Sequence, residues 1–133
     1  MKDPHNVILK PHITERSVAE SYGDERAAEQ RLRNEAKKSG AKGPVKVEES
    51  DLIRKYTFIV APEANKIEIK AAIEAIYNAG KKPGDHIQVT QVRTVRLPGK
   101  KKRQARVTGG YTPERKKAVV TLAKGQMLED YGV

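Results

Sequence analysis

Residues 55–80 read KYTFIVAPEANKIEIKAAIEAIYNAG, a strand followed by a helix in a single run. Tyr56, Phe58 and Val60 fall on one face of the strand and Thr57 and Ile59 on the other. β-Branched and aromatic residues on both faces suit a strand in the middle of its sheet. Pro62 ends it. Asn65 then suits a helix N-cap, with Glu68 three positions on as a capping-box variant. Ile69, Ala72, Ile73 and Ile76 follow at i, i+3, i+4 and i+7, an apolar stripe that must face a core. Gly80 stops the helix.

Working towards the C-terminus, KKPGDH is a turn and HIQVTQVRTVRL reads as a second strand. Its apolar phase slips between Val89 and Val92, which a β-bulge near Thr90–Gln91 or two separate pairing segments would account for. RKKAVVTLA supplies a third strand, with Ala118, Val120 and Leu122 on one face. The three strands lie near 54–61, 87–97 and 116–123, the last two forming a hairpin. The tail GQMLEDYGV predicts a short edge strand around Met127 and Leu128.

Towards the N-terminus, Pro11 disfavours helix at Lys10, so VILK is extended. Thr14 suits an N-cap, with Glu15 beside the positive helix end and Ile13 and Val18 placed as a hydrophobic staple. A short helix starts at about Glu15. Residues 20–51 hold eight acids and seven bases, and Leu32 is the only large aliphatic residue between Val18 and Val45. Asp24 caps a helix running to about Ser39, followed by Gly40. Glu29 and Arg33 form an i,i+4 pair on it. Its apolar stripe is too narrow to add much to a core. The expectation is a single α+β domain over residues 1–133: a small antiparallel sheet packed with helices. It carries a charged helical insertion at 19–51 and a long basic loop at 96–112.

The chain has 133 residues and a net charge of +10, with no Cys. Residues 93–117 hold ten Lys or Arg against Glu114, so this segment carries +9 and the other 108 residues only +1. A field with one source attracts a polyanion. Nucleic acid fits better than a membrane surface, because the run has no Trp, Phe or Ile to bury among lipids. The expected contacts are Lys100, Lys101, Lys102, Arg103 and Arg106, with Arg93, Arg96, Lys116 and Lys117 at the hairpin base. Gln104 adds hydrogen bonding and Tyr111 a ring for stacking. Phosphate contacts alone do not separate RNA from DNA.

Catalytic chemistry finds no support in the pattern. His5, His12 and His86 have no metal-binding spacing, and no phosphate loop, dinucleotide fingerprint or nucleophile elbow occurs. No metal or other cofactor and no small-molecule substrate is expected. The absence of Cys and of an apolar leader is read as cytoplasmic. Two other readings stay open from the residues alone: a free DNA- or RNA-binding regulator using the same loop, and a protein adaptor using the charged helix near 24–39.

Four blocks, VILKPHITERS (7–17), KYTFIVAPEANKIEIKAAIEAIY (55–77), VTQVRTVRLPGKKKR (89–103) and KKAVVTLAKGQ (116–126), resemble in this order the universal ribosomal large-subunit protein twenty-three family, bacterial type. The resemblance implies a structural protein whose hairpin loop penetrates large-subunit rRNA beside the exit of the nascent-peptide tunnel. It also implies contact with neighbouring ribosomal proteins. At the tunnel exit it implies docking of trigger factor, signal recognition particle and the translocation machinery. The family's acidic docking residue, in its Pro-His-(Ile/Val)-(Ser/Thr)-Glu-(Lys/Arg) motif, falls on Glu15, with Arg16 beside it. The chain departs from the family pattern in its longer 19–51 and 78–86 segments. It also has Arg115 where the family commonly has Trp.

Overall fold

The computed structural model describes residues 3–40, 43, 46–100, 113–128 and 131. Among these residues, eight elements are arranged in the order α1 (Pro4–Val7), β1 (Ile8–Pro11), α2 (Glu15–Ser21), α3 (Glu25–Ser39), β2 (Lys55–Val60), α4 (Lys66–Asn78), β3 (Val89–Leu97) and β4 (Arg115–Leu122). Single turns of 3-10 helix occupy Glu49–Asp51 and Pro83–Asp85.

The four strands form one antiparallel sheet in the order β1-β2-β4-β3. β2 is therefore an inner strand, as its two apolar faces require. The expected bulge is present: the β3–β4 register shifts between Val89 and Gln91. The slip lets Val89 and Val92, three positions apart, both face the core, at 0% and 8% exposure.

One face of the sheet carries the core. Tyr56, Phe58 and Val60 of β2 and Ala118, Val120 and Leu122 of β4 meet Ile69, Ala72 and Ile73 of α4. The α4 stripe faces inward as its spacing dictates, with the Glu68 amide donating to Asn65 Oδ1 at 2.8 Å to cap the first turn. α1 closes the same layer through Val7. Asp3 caps it and Pro4 occupies its first turn, a start signal present in the sequence and not assigned there.

The opposite face is covered in part by α2, which packs on β2. Ser17 is buried in that helix. α3 follows its capping signals closely: Asp24 Oδ1 accepts the Arg26 and Ala27 amides at 3.0 and 3.3 Å, and Gly40 ends the helix in the left-handed region at φ 72°. Ala28 is its buried residue, and neither Ala28 nor Leu52 joins the main core cluster. The Glu29–Arg33 pair forms along its surface. α3 is tied down by polar contacts instead. Arg31 Nη2 donates to the Asp51 carbonyl at 3.1 Å, and Lys124 Nζ lies 3.4 Å from Asp51 Oδ1. The Glu48 amide donates to the Asp51 carboxylate and, with Lys124, holds that carboxyl below its ordinary range.

The expected edge strand around Met127 and Leu128 is absent: those residues lie in no strand. Side chains and a turn take the hydrogen bonds that a ladder would have used. The Leu128 amide donates to the Tyr56 hydroxyl at 3.1 Å, and the Gly125 amide to the Leu52 carbonyl at 2.8 Å. Gly125 has φ 80°, and a Cβ there would stand 2.9 Å from the Ser50 carbonyl oxygen. The chain turns against Ser50 at that point and cannot run on as a strand.

Candidate nucleic-acid interface

Alternation along β3 and β4 decides where the charges of the hairpin base go. Ala118, Val120 and Leu122 are buried against α4, so Arg115, Lys117 and Val119 project from the face that carries α2. The register places Arg93 opposite Val119 and Val95 opposite Lys117 on that face. Arg93 is exposed and Lys117 half-buried. Arg96 and Lys116 pair across the strands on the other face, beyond the end of the core.

The four cations expected at the hairpin base are thus split between the two faces. Lys116 has a structural role as well: its Nζ donates to the Ala64 carbonyl at 2.6 Å, fixing β4 to the connection that leads into α4. Arg96 Nη1 lies 3.7 Å from Glu114 Oε1, with both side chains largely in solvent. Such a surface pair contributes about 1 kcal/mol at most and leaves the site basic. Lys100 is exposed just beyond β3. Lys101, Lys102, Arg103, Gln104, Arg106 and Tyr111 lie outside the described residues.

The α2 face contains cations that the sequence did not single out. Lys10 of β1 and Lys55 of β2 stand on it, because β2 pairs Ile59 with both Lys10 and Lys117, and Lys55 with Thr121. Arg115 joins them by the same alternation that places Lys117. His12 stands between these groups and α2. Its pKa is lowered from 6.5, first by burial and then by the charges of Lys117, Arg115 and Lys10. The signal for Arg115 was local, two residues from Lys117. For Lys10 and His12 it was not, because only the strand order brings β1 near β4.

Glu15 occupies the first position of α2 and is exposed. Its turn is fixed by a reciprocal cap in which the Ser17 amide donates to Thr14 Oγ1 at 3.2 Å and the Thr14 amide to Ser17 Oγ at 2.7 Å. Arg16 Nε donates to Glu20 Oε1 at 3.1 Å and lies almost wholly in solvent. Glu15 therefore sits, exposed, on the capped first turn of α2.

Among the described residues, no cluster of three or more His, Cys, Asp or Glu could hold a metal ion, and no helix is long and apolar enough to cross a membrane.

The sequence pattern of the family described as ribosomal protein L23 matches residues 40–129. The large ribosomal subunit protein uL23 of Heliobacterium modesticaldum is 35% identical over 131 residues, covering 97% of this chain and 95% of that protein. Those of Bifidobacterium longum and Desulforudis audaxviator are each 34% identical. They cover 98% and 97% of this chain, and 94% and 95% of their own lengths.

Proposed function

The chain belongs to the ribosomal protein L23 family, and we propose that it binds large-subunit rRNA through its basic hairpin beside the peptide exit, presenting Glu15 to factors that receive the nascent chain. As a member of that family it is a structural constituent of the large ribosomal subunit and not an enzyme. In bacteria that subunit is cytoplasmic.

The carrying observation is the distribution of charge. Ten cations fall in residues 93–117, which run from β3 through the connecting segment into β4, in a chain whose remaining residues are close to neutral. Crowded like charges oppose compaction and are stabilised by an external polyanion. rRNA supplies one at high density, and each phosphate contact releases a counterion. Neighbouring ribosomal proteins would meet the less charged surfaces. Arg16, already paired with Glu20, would flank the Glu15 contact for trigger factor, signal recognition particle or the translocation machinery.

Replacing Lys100, Lys101, Lys102 and Arg103 together with Ala tests the RNA reading. Affinity for isolated large-subunit rRNA should fall, and the slope of log affinity against log salt should flatten by about 0.7–0.9 for each lost contact. An unchanged slope would remove the loop from the interface.

A further inference from the structure

Between α2 and the outer face of the sheet lies a groove of about 270 Å³. Its floor includes Thr57 and Val119, and His12 stands at its side. The charged groups come from each element around it. β3 contributes Arg93, β4 Lys117, β2 Lys55 and α2 Arg16 and Glu20. Lys10 of β1 and Arg115 of β4 also act on His12 through space. The acid among the lining residues, Glu20, is already engaged by Arg16 at 3.1 Å, so the groove is positive on balance.

His12 is held in place at both ends of its peptide. Its amide donates to the Thr57 carbonyl at 2.9 Å, and its own carbonyl lies 2.9 Å from the Tyr131 hydroxyl. The backbone cannot swing the ring away from the cations. With no anion present, partial burial and then those cations favour the neutral imidazole.

We propose that His12 takes up a proton when RNA phosphate settles on this face, so that RNA binding by the chain is proton-linked. The inference rests on the RNA-binding reading above. A phosphate placed in the groove beside Arg93 and Lys117 offsets the positive potential that these cations, with Lys10 and Arg115, impose on the ring. The imidazolium then becomes a charge-assisted donor to the anion that favoured it. Linkage is reciprocal: if RNA raises the proton affinity of His12, the proton raises the affinity for RNA by the same factor. Histidine is the side chain whose charge ordinarily changes between about pH 5 and 8. The other two histidines serve as internal controls. His5 is in α1 on the core side, and His86 is in the turn before β3 with its Nε2 3.0 Å from the Lys81 carbonyl oxygen.

The test measures binding of the full chain to isolated large-subunit rRNA at fixed salt from about pH 7.5 to 5.5, with one linked proton giving at most about tenfold per pH unit. Wild type should gain several-fold more affinity on acidification than His12→Gln, while His5→Gln and His86→Gln keep the wild-type slope. A second readout needs no variant. The ring C–H signals of the free chain, followed by NMR with and without a short oligouridylate, should show an upward pKa displacement at His12. Parallel slopes for wild type and His12→Gln, or a His12 titration indifferent to the oligonucleotide, would overturn the linkage while leaving RNA binding intact. Failure of wild type to bind rRNA at any pH would overturn the RNA reading itself.

Discussion

The hydroxyl of Tyr131 lies 2.9 Å from the carbonyl oxygen of His12, across 119 residues of chain. The Tyr131 hydroxyl oxygen also accepts the Thr57 amide at 3.1 Å and stands 2.9 Å from the Thr57 carbonyl oxygen. β1 ends at Pro11, and the tyrosine takes over where its ladder stops, bridging β1 and β2 with a side chain. Its ring meets Tyr56 edge-on at 4.8 Å and Phe58 at 5.5 Å. Tyr131 thereby packs in the core and hydrogen-bonds to the sheet through its side chain.

Tyr131→Phe should keep the ring packing and leave the buried Thr57 amide without its acceptor, costing about 1–3 kcal/mol. Tyr131→Ala also opens a cavity beside Tyr56 and Phe58 and should cost about 3–5 kcal/mol. Urea unfolding measures both, and a Tyr131→Phe midpoint equal to wild type would show the bridge to be energetically idle.

Two isoleucines on α4 make a paired test of which face is buried. Ile73 is 0% exposed and Ile67 80% exposed. Ile73→Ala should cost about 2–5 kcal/mol through the cavity it leaves. Ile67→Ala should stay within about 0.5 kcal/mol of wild type. Equal effects in thermal unfolding would contradict the placement of α4.

His12 also links folding to pH. Its pKa is lowered in the folded chain, so the unfolded chain binds the proton more tightly. The stabilisation is present above the ordinary value of about 6.5 and is lost as pH falls through it towards the lower folded value. His12→Gln should flatten this part of the profile of melting temperature against pH for the RNA-free chain. The amplitude is small, because the ring is largely solvated.

Glu15→Ala should leave rRNA affinity unchanged and reduce trigger-factor binding to reconstituted large subunits. The reciprocal Thr14–Ser17 cap holds α2 without the carboxylate, so circular dichroism should show no loss of helix. Full recruitment by the variant would return Glu15 to being simply an acid in the first turn of a helix.

Local chemistry carried most of the fold. The Asp24 and Asn65 caps, the left-handed Gly40, the inward stripe of α4 and the slip at Thr90–Gln91 each depend on residues within a few positions, and each is found where the sequence places it. The tail was misread because an alternating apolar pattern does not reveal that the Tyr56 hydroxyl will take the Leu128 amide. The site shows the same limit. A run of cations can be counted in a sequence, but its division between two faces follows from pairing register, and the addition of Lys10 and His12 follows from strand order. Both are long-range properties.

The strand order also has a consequence in time. β4 is the last strand among the described residues but lies inside the sheet, between β2 and β3. Until residues 115–122 have been made, β3 has no neighbour in the sheet and β2 has only the four residues of β1. Contacts between segments so far apart close late, after the loop-closure entropy has been overcome. During its own synthesis the chain therefore cannot complete this sheet until β4 has been made, and the basic segment between β3 and β4 emerges ahead of the strand that follows it.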